Sequence, residues 1–182
     1  MYQFQLAWQG TSLALPGALI TLCLAWLGRR DIARRLAMPV PVAILLIVGV
    51  GAMLTLTLSP SRPLFPLQRD AWCVWPPPTL WESVSALRTL NTRSLNALMF
   101  APIGLACALS RSRPIVLRLV AAGAATPFAV EFLQWVLPIR RGCDAADVVD
   151  NLVGLSVGVL AGLLLRPLLL ADRSVVRVSS DN

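Results

Sequence analysis

Histidine is absent from this chain of 182 residues, and so is lysine. Without imidazole there is no histidine general base, no histidine metal ligand and no Ser-His or Cys-His nucleophile pair. Charge of either sign is scarce: 14% of residues are charged against 57% hydrophobic, where a soluble domain would carry roughly a quarter charged. A mean hydropathy of +0.71 points the same way, to an integral membrane protein. Four cysteines lie far apart with no CxxC pair, which argues against a zinc site or a thioredoxin-like motif. No cofactor and no metal ion is expected.

Loops long enough for a separate soluble domain are also missing, so residues 1–182 read as a single membrane domain. The net charge of +7 is carried by arginine alone. Because the arginines cluster at the ends of apolar runs, they read as topology signals and lipid headgroup contacts rather than a nucleic-acid surface. The first apolar run lacks a basic lead and a small-residue cleavage site and reads as a retained helix.

Five apolar segments approach the length of about 20 residues that a bilayer crossing takes: residues 11–28, 38–58, 95–110, 115–138 and 148–170. The expected fold is all-α, a polytopic transmembrane bundle of about five helices with a short interfacial helix in the connection from Ser59 to Ser94. Arg29, Arg30, Arg34 and Arg35 follow the first segment and Arg111, Arg113 and Arg118 the third, while Arg166, Arg173 and Arg177 close the chain. These ends are expected in the cytoplasm, with the N-terminus, the long connection and the 139–147 turn outside. In the connection, Trp72, Trp75 and Trp81 suit the headgroup level, and Thr79 with Glu82 has capping-box spacing.

Against this apolar background, the stretch from Glu131 to Gly158 is unusual for its four acidic residues and two arginines. Ionisable residues at membrane depth mark functional sites by default. Asp147, Asn151, Gly154, Gly158 and Gly162 share one helical stripe, as do Asn96, Phe100, Gly104 and Ala108, and Glu131 shares a face with Gln134, Gly123 and Pro127. Gly104, Gly154, Gly158 and Gly162 are the expected helix-packing positions. The expected binding set is Asn96, Glu131, Gln134, Arg140, Arg141, Asp144, Asp147 and Asn151, opening outward. Glu131 falls roughly 10 Å below the outer interface, with Arg140 and Arg141, or Arg88 and Arg93, as partners. Taken singly, Asn96, Gln134 and Asn151 read as hydrogen-bonding glue between helices and Glu131 as half of a structural ion pair. Taken together, so much buried charge favours a function. Cys73 and Cys143, both in outer connections, are a candidate disulfide, set against two unpaired thiols.

Three separated motifs now carry a resemblance. Asn96, Phe100, Pro102 and Gly104, then Glu131 and Gln134, then Arg141, Asp144, Asp147, Asn151 and Gly154 follow the order and spacing of the VanZ-like family over residues 50–165. The resemblance implies a small bacterial cell-membrane protein linked to reduced sensitivity to glycopeptide antibiotics, teicoplanin among them, with no agreed biochemical activity. Arg140, Asp150 and the Trp- and Pro-rich connection depart from its pattern.

The reading adopted is a protein that binds an anionic amphiphile: a membrane lipid, a lipid-linked cell-wall intermediate or a (lipo)glycopeptide. Arg140 and Arg141 would take phosphate or carboxylate as guanidinium forks do, and Asp144 and Asp147 would orient them or receive amines and hydroxyls. Three rivals stand beside it. An enzyme acting on a lipid-linked phosphate or sugar would use Glu131 and Asp147 as acid and base, with Asp144, Asp147 and Asp150 able to hold a hard cation. A small carrier would cycle the protonation of Glu131, although no internal repeat is visible. A structural partner of another membrane protein would need none of this chemistry. The ligand and the oligomeric state stay open.

Overall fold

Arginine is a good helix former, so the first helix does not stop where its apolar run does. The computed structural model describes residues 14–59, 74–137 and 143–170. Helix α1 (Ala14–Arg35) continues through Arg29, Arg30, Arg34 and Arg35. It ends where Ala37 takes a left-handed backbone with φ 49°, and Pro39 then leads into α2 (Val40–Leu58). The two helices form an antiparallel hairpin with glycines at its seam. A Cβ on Gly17 would overlap Thr55, and one on Gly51 would overlap Thr21.

A short helix is present in the connection as α3 (Leu80–Ala86), with both capping-box bonds made: the Thr79 amide donates to Glu82 Oε2 at 2.7 Å and the Glu82 amide to Thr79 Oγ1 at 3.3 Å. The Thr79 amide, then its hydroxyl, hold the Glu82 carboxyl below the usual range. Asn91 then serves as the N-cap of the next element, α4 (Thr92–Ala108). Helices α5 (Arg113–Val136) and α6 (Ala145–Leu170) complete the order.

The most extensive contact is between α4 and α6, which run parallel. A Cβ on Gly154 would overlap the carbonyl oxygen of Ala97, one on Gly158 that of Ala101, and one on Gly104 that of Leu155. At Gly162 the added carbon would come 2.7 Å from the Ala108 methyl. Only glycine lets the two backbones approach this closely. Around this pair Met53, Phe100, Ile103, Cys107, Val130 and Leu155 form the apolar core.

Among the described residues three helices, Val40–Leu58, Arg113–Val136 and Ala145–Leu169, are long and apolar enough to cross a membrane, fewer than the five expected from the sequence. Two segments fall short for visible reasons. In α1 the apolar run gives way to Arg29, Arg30 and Asp31 well before the helix ends. Helix α4 has 17 residues, about 26 Å at 1.5 Å each, against a hydrocarbon core of about 30 Å. Large apolar side chains nevertheless stay exposed all round the bundle, including Leu19 and Trp26 on α1, Phe132 on α5 and Leu164 on α6. A continuous surface of this kind needs a lipid environment.

At the arginine-rich end the turns are tied together. The buried Ser110 hydroxyl donates to the Leu36 carbonyl at 2.6 Å, the Arg111 amide to the Ala37 carbonyl at 2.8 Å, and the Arg166 guanidinium to the Arg111 carbonyl at 3.1 Å.

Candidate functional site

At the opposite end α4 and α6 begin and α2 and α5 finish, and the buried polar side chains gather there. Arg93, in the first turn of α4, lays its guanidinium across Asp150 of α6: Nε to Oδ2 at 2.8 Å and one terminal nitrogen to Oδ1 at 2.9 Å. The same nitrogen donates to Ser83 Oγ on α3 at 2.8 Å, so one residue ties three helices. Asp150 is 1% exposed, and a carboxylate there requires such a two-pronged partner.

One turn away, Asn96 Nδ2 donates to Asp147 Oδ1 at 2.6 Å, again from α4 to α6. Glu131, buried on α5, accepts the backbone amide of Asp144 at 2.8 Å. Asp144 in turn starts α6, its Oδ1 accepting the Ala146 amide at 2.8 Å, as side chains at helix N-termini do. Gln134 Nε2 reaches the Thr57 carbonyl at the end of α2, 3.0 Å away. Asn151 is 2% exposed, and its Oδ1 is a buried acceptor with no hydrogen-bond partner among the described residues.

A strap closes this end. Val74 pairs with Asp144 as an isolated parallel bridge, its amide donating to the Cys143 carbonyl at 2.9 Å and its carbonyl accepting the Ala145 amide at 3.2 Å. Cys143 is disulfide-bonded, whereas Cys23 and Cys107 are free thiols. Cys73, Trp72, Arg140 and Arg141 lie outside the described residues. Trp75 and Trp81 are exposed, and the Arg88 guanidinium sits 5.8 Å over the Trp81 ring. Beside the polar layer, an open groove of about 320 Å³ runs between the 87–90 turn and the α4/α6 seam, with Arg88 and Ser94 at its polar end and Leu98, Ala101 and Val157 along its wall.

Asn96, Glu131, Gln134, Asp144, Asp147 and Asn151 are thus brought to one end of the bundle, and Gly104, Gly154, Gly158 and Gly162 to the α4/α6 seam. Glu131 accepts the Asp144 amide, and one partnership differs from expectation: Arg93, suggested as a partner for Glu131, is engaged by Asp150. That pair, with Ser83, is what the sequence reading missed. A signal for it existed: Arg93 and Asp150 are 57 residues apart, the separation that also sets Ala97 against Gly154 and Ala101 against Gly158. The ion pair is the next rung up the same ladder. Asp144, Asp147 and Asp150 turn to separate partners, and among the described residues no three acidic or cysteine side chains are grouped for a metal ion.

Exposed apolar helices around a buried polar layer at one end define a helical integral membrane protein. The chain belongs to the VanZ/LLP1 family, whose model matches residues 15–166. The match adds α1 and the start of α2 to the region carrying the motifs. No curated protein and no solved structure shows significant similarity to the chain.

Proposed function

We propose that this protein binds an anionic amphiphile at the polar end of α4, α5 and α6, and that this binding underlies a role in glycopeptide sensitivity of the teicoplanin type. The buried Oδ1 of Asn151, without a partner among the described residues, carries the reading. A buried acceptor without a donor is costly in a bilayer interior, and a hydroxyl or amine of a bound molecule would satisfy it. Asn96, Glu131 and Gln134 form the floor of the site with it. Asp144 and Asp147 face amine and hydroxyl groups, Arg140 and Arg141 take phosphate or carboxylate, and the neighbouring groove accepts an apolar chain. The ligand class is a phospholipid, a lipid-linked cell-wall intermediate or a lipoglycopeptide.

The same reading places the protein in the bacterial cell membrane with this end outside, the N-terminus outside and the C-terminus in the cytoplasm, on the arginine distribution. An impermeant thiol reagent applied to intact cells then leaves a cysteine introduced near Ser180 unlabelled. Native mass spectrometry of the detergent-extracted protein tests the site itself. A co-purifying lipid present in the wild type is lost from Asn151→Leu and from Arg141→Ala at unchanged helicity. Retention of the same number of lipid molecules as the wild type in both variants would mean that the polar layer only joins helices.

A further inference from the structure

At the other end of the bundle a second cavity, of about 540 Å³, lies between the end of α1, the start of α2 and the α4–α5 turn. Arg30, Arg34 and Arg111 line it together with the apolar Ala33, Met38, Pro39 and Val40. The nearest acid in the sequence, Asp31, is held by Arg34, while Arg30 and Arg111 form no ion pair among the described residues. The cavity wall also contains the N-terminus of α2, a helix of 19 residues that no side chain caps. Pro39 and Pro41 carry no N–H, so Val40 and Val42 present the leading amides, at the positive end of the helix dipole.

Two independent features therefore favour an anion here: unpaired guanidinium forks and an uncapped helix start. The depth of the cavity selects the kind of anion. Val40 is the first residue of a helix apolar enough to cross a membrane, which sets the cavity at the level where hydrocarbon gives way to headgroups. Its apolar wall meets the chains of whatever enters. We infer that this cavity is a binding site for the phosphodiester headgroup of an anionic phospholipid, separate from the polar layer and independent of the function proposed for it. Basic pockets between helices at this level hold lipid phosphates elsewhere by the same physics.

The test titrates full-length, detergent-solubilised protein with dioleoyl-phosphatidylglycerol or dioleoyl-phosphatidylcholine and reads bound lipid by native mass spectrometry, with inorganic phosphate as competitor. The wild type retains one phosphatidylglycerol in preference to phosphatidylcholine, and millimolar phosphate does not displace it. Arg30→Gln with Arg111→Gln weakens retention by roughly tenfold or more. Arg30→Lys with Arg111→Lys, which keeps the charge and loses the forks, falls between. Arg35→Gln with Arg113→Gln removes the same charge from the same end outside the cavity and leaves retention unchanged. Equal loss in that control pair, or equal binding of phosphatidylcholine, overturns the site. Displacement by inorganic phosphate overturns the lipid assignment and leaves a free-phosphate pocket.

Discussion

The two members of the Arg93–Asp150 pair should cost very different amounts to remove, because their surroundings differ. Arg93→Met strips the guanidinium from a carboxylate that is 1% exposed and leaves a buried charge without a counter-ion, at a cost of about 3–5 kcal/mol. Asp150→Ala instead frees an arginine whose side chain is 34% exposed and which still has Ser83 Oγ at 2.8 Å. That guanidinium can turn to water or headgroups, so the loss is about 1–2 kcal/mol. Replacing both, Arg93→Met with Asp150→Leu, removes the stranded charge and should return stability to within about 1–2 kcal/mol of the wild type. Unfolding of the detergent-solubilised protein by SDS titration, followed by circular dichroism, measures all three variants against the wild type. The double variant gives the coupling directly. If Asp150→Ala proves as damaging as Arg93→Met, or if the double variant loses the sum of the singles, the pair is not the buried lock described here.

Glycine substitutions should divide by location. Gly154→Ala and Gly158→Ala drive a methyl into backbone carbonyls of α4, which cannot rotate aside, and should each cost about 1–3 kcal/mol in the same titration. Gly28→Ala meets nothing nearer than 3.9 Å and should raise stability by up to about 1 kcal/mol through helix propensity alone. Ala37→Gly relieves a left-handed backbone at φ 49° and should stabilise by about 1 kcal/mol, unless the Ala37 carbonyl loses its bond to the Arg111 amide. Retention of that bond is read from hydrogen exchange at Arg111.

The helix order was readable from apolar runs, and helix identity was readable from the glycine stripe and the Thr79–Glu82 spacing, because these depend on residues close in sequence. The number of spanning helices was not. The segment 95–110 was already short of a crossing in the sequence, and α4 there has 17 residues; what a hydropathy pattern does not show is that arginines extend α1 beyond its apolar run. The gathering of Asn96, Glu131, Asp144, Asp147 and Asn151 at one end follows from helix direction, since each falls near the same terminus of an alternating chain. The pairing within the layer does not follow in this way. Arg93 has several acidic residues within reach on paper, and its choice of Asp150 depends on the register of two parallel helices, which is set further along by Gly154 and Gly158. The Asp144 amide that Glu131 accepts was not legible either, since it belongs to the backbone and has no letter of its own.

The parallel run of α4 and α6 also has a consequence for biogenesis. Helix α4 is the short member of the bundle, with an arginine in its first turn and two backbone-to-backbone contacts on Gly154 and Gly158. Every one of those partners lies beyond α5, on a segment that leaves the ribosome 57 residues after its counterpart. During synthesis α4 therefore reaches the membrane with neither its counter-ion nor its packing face available. Its ion pair and its closest backbone contacts form only once α6, the final helix among the described residues, has been made.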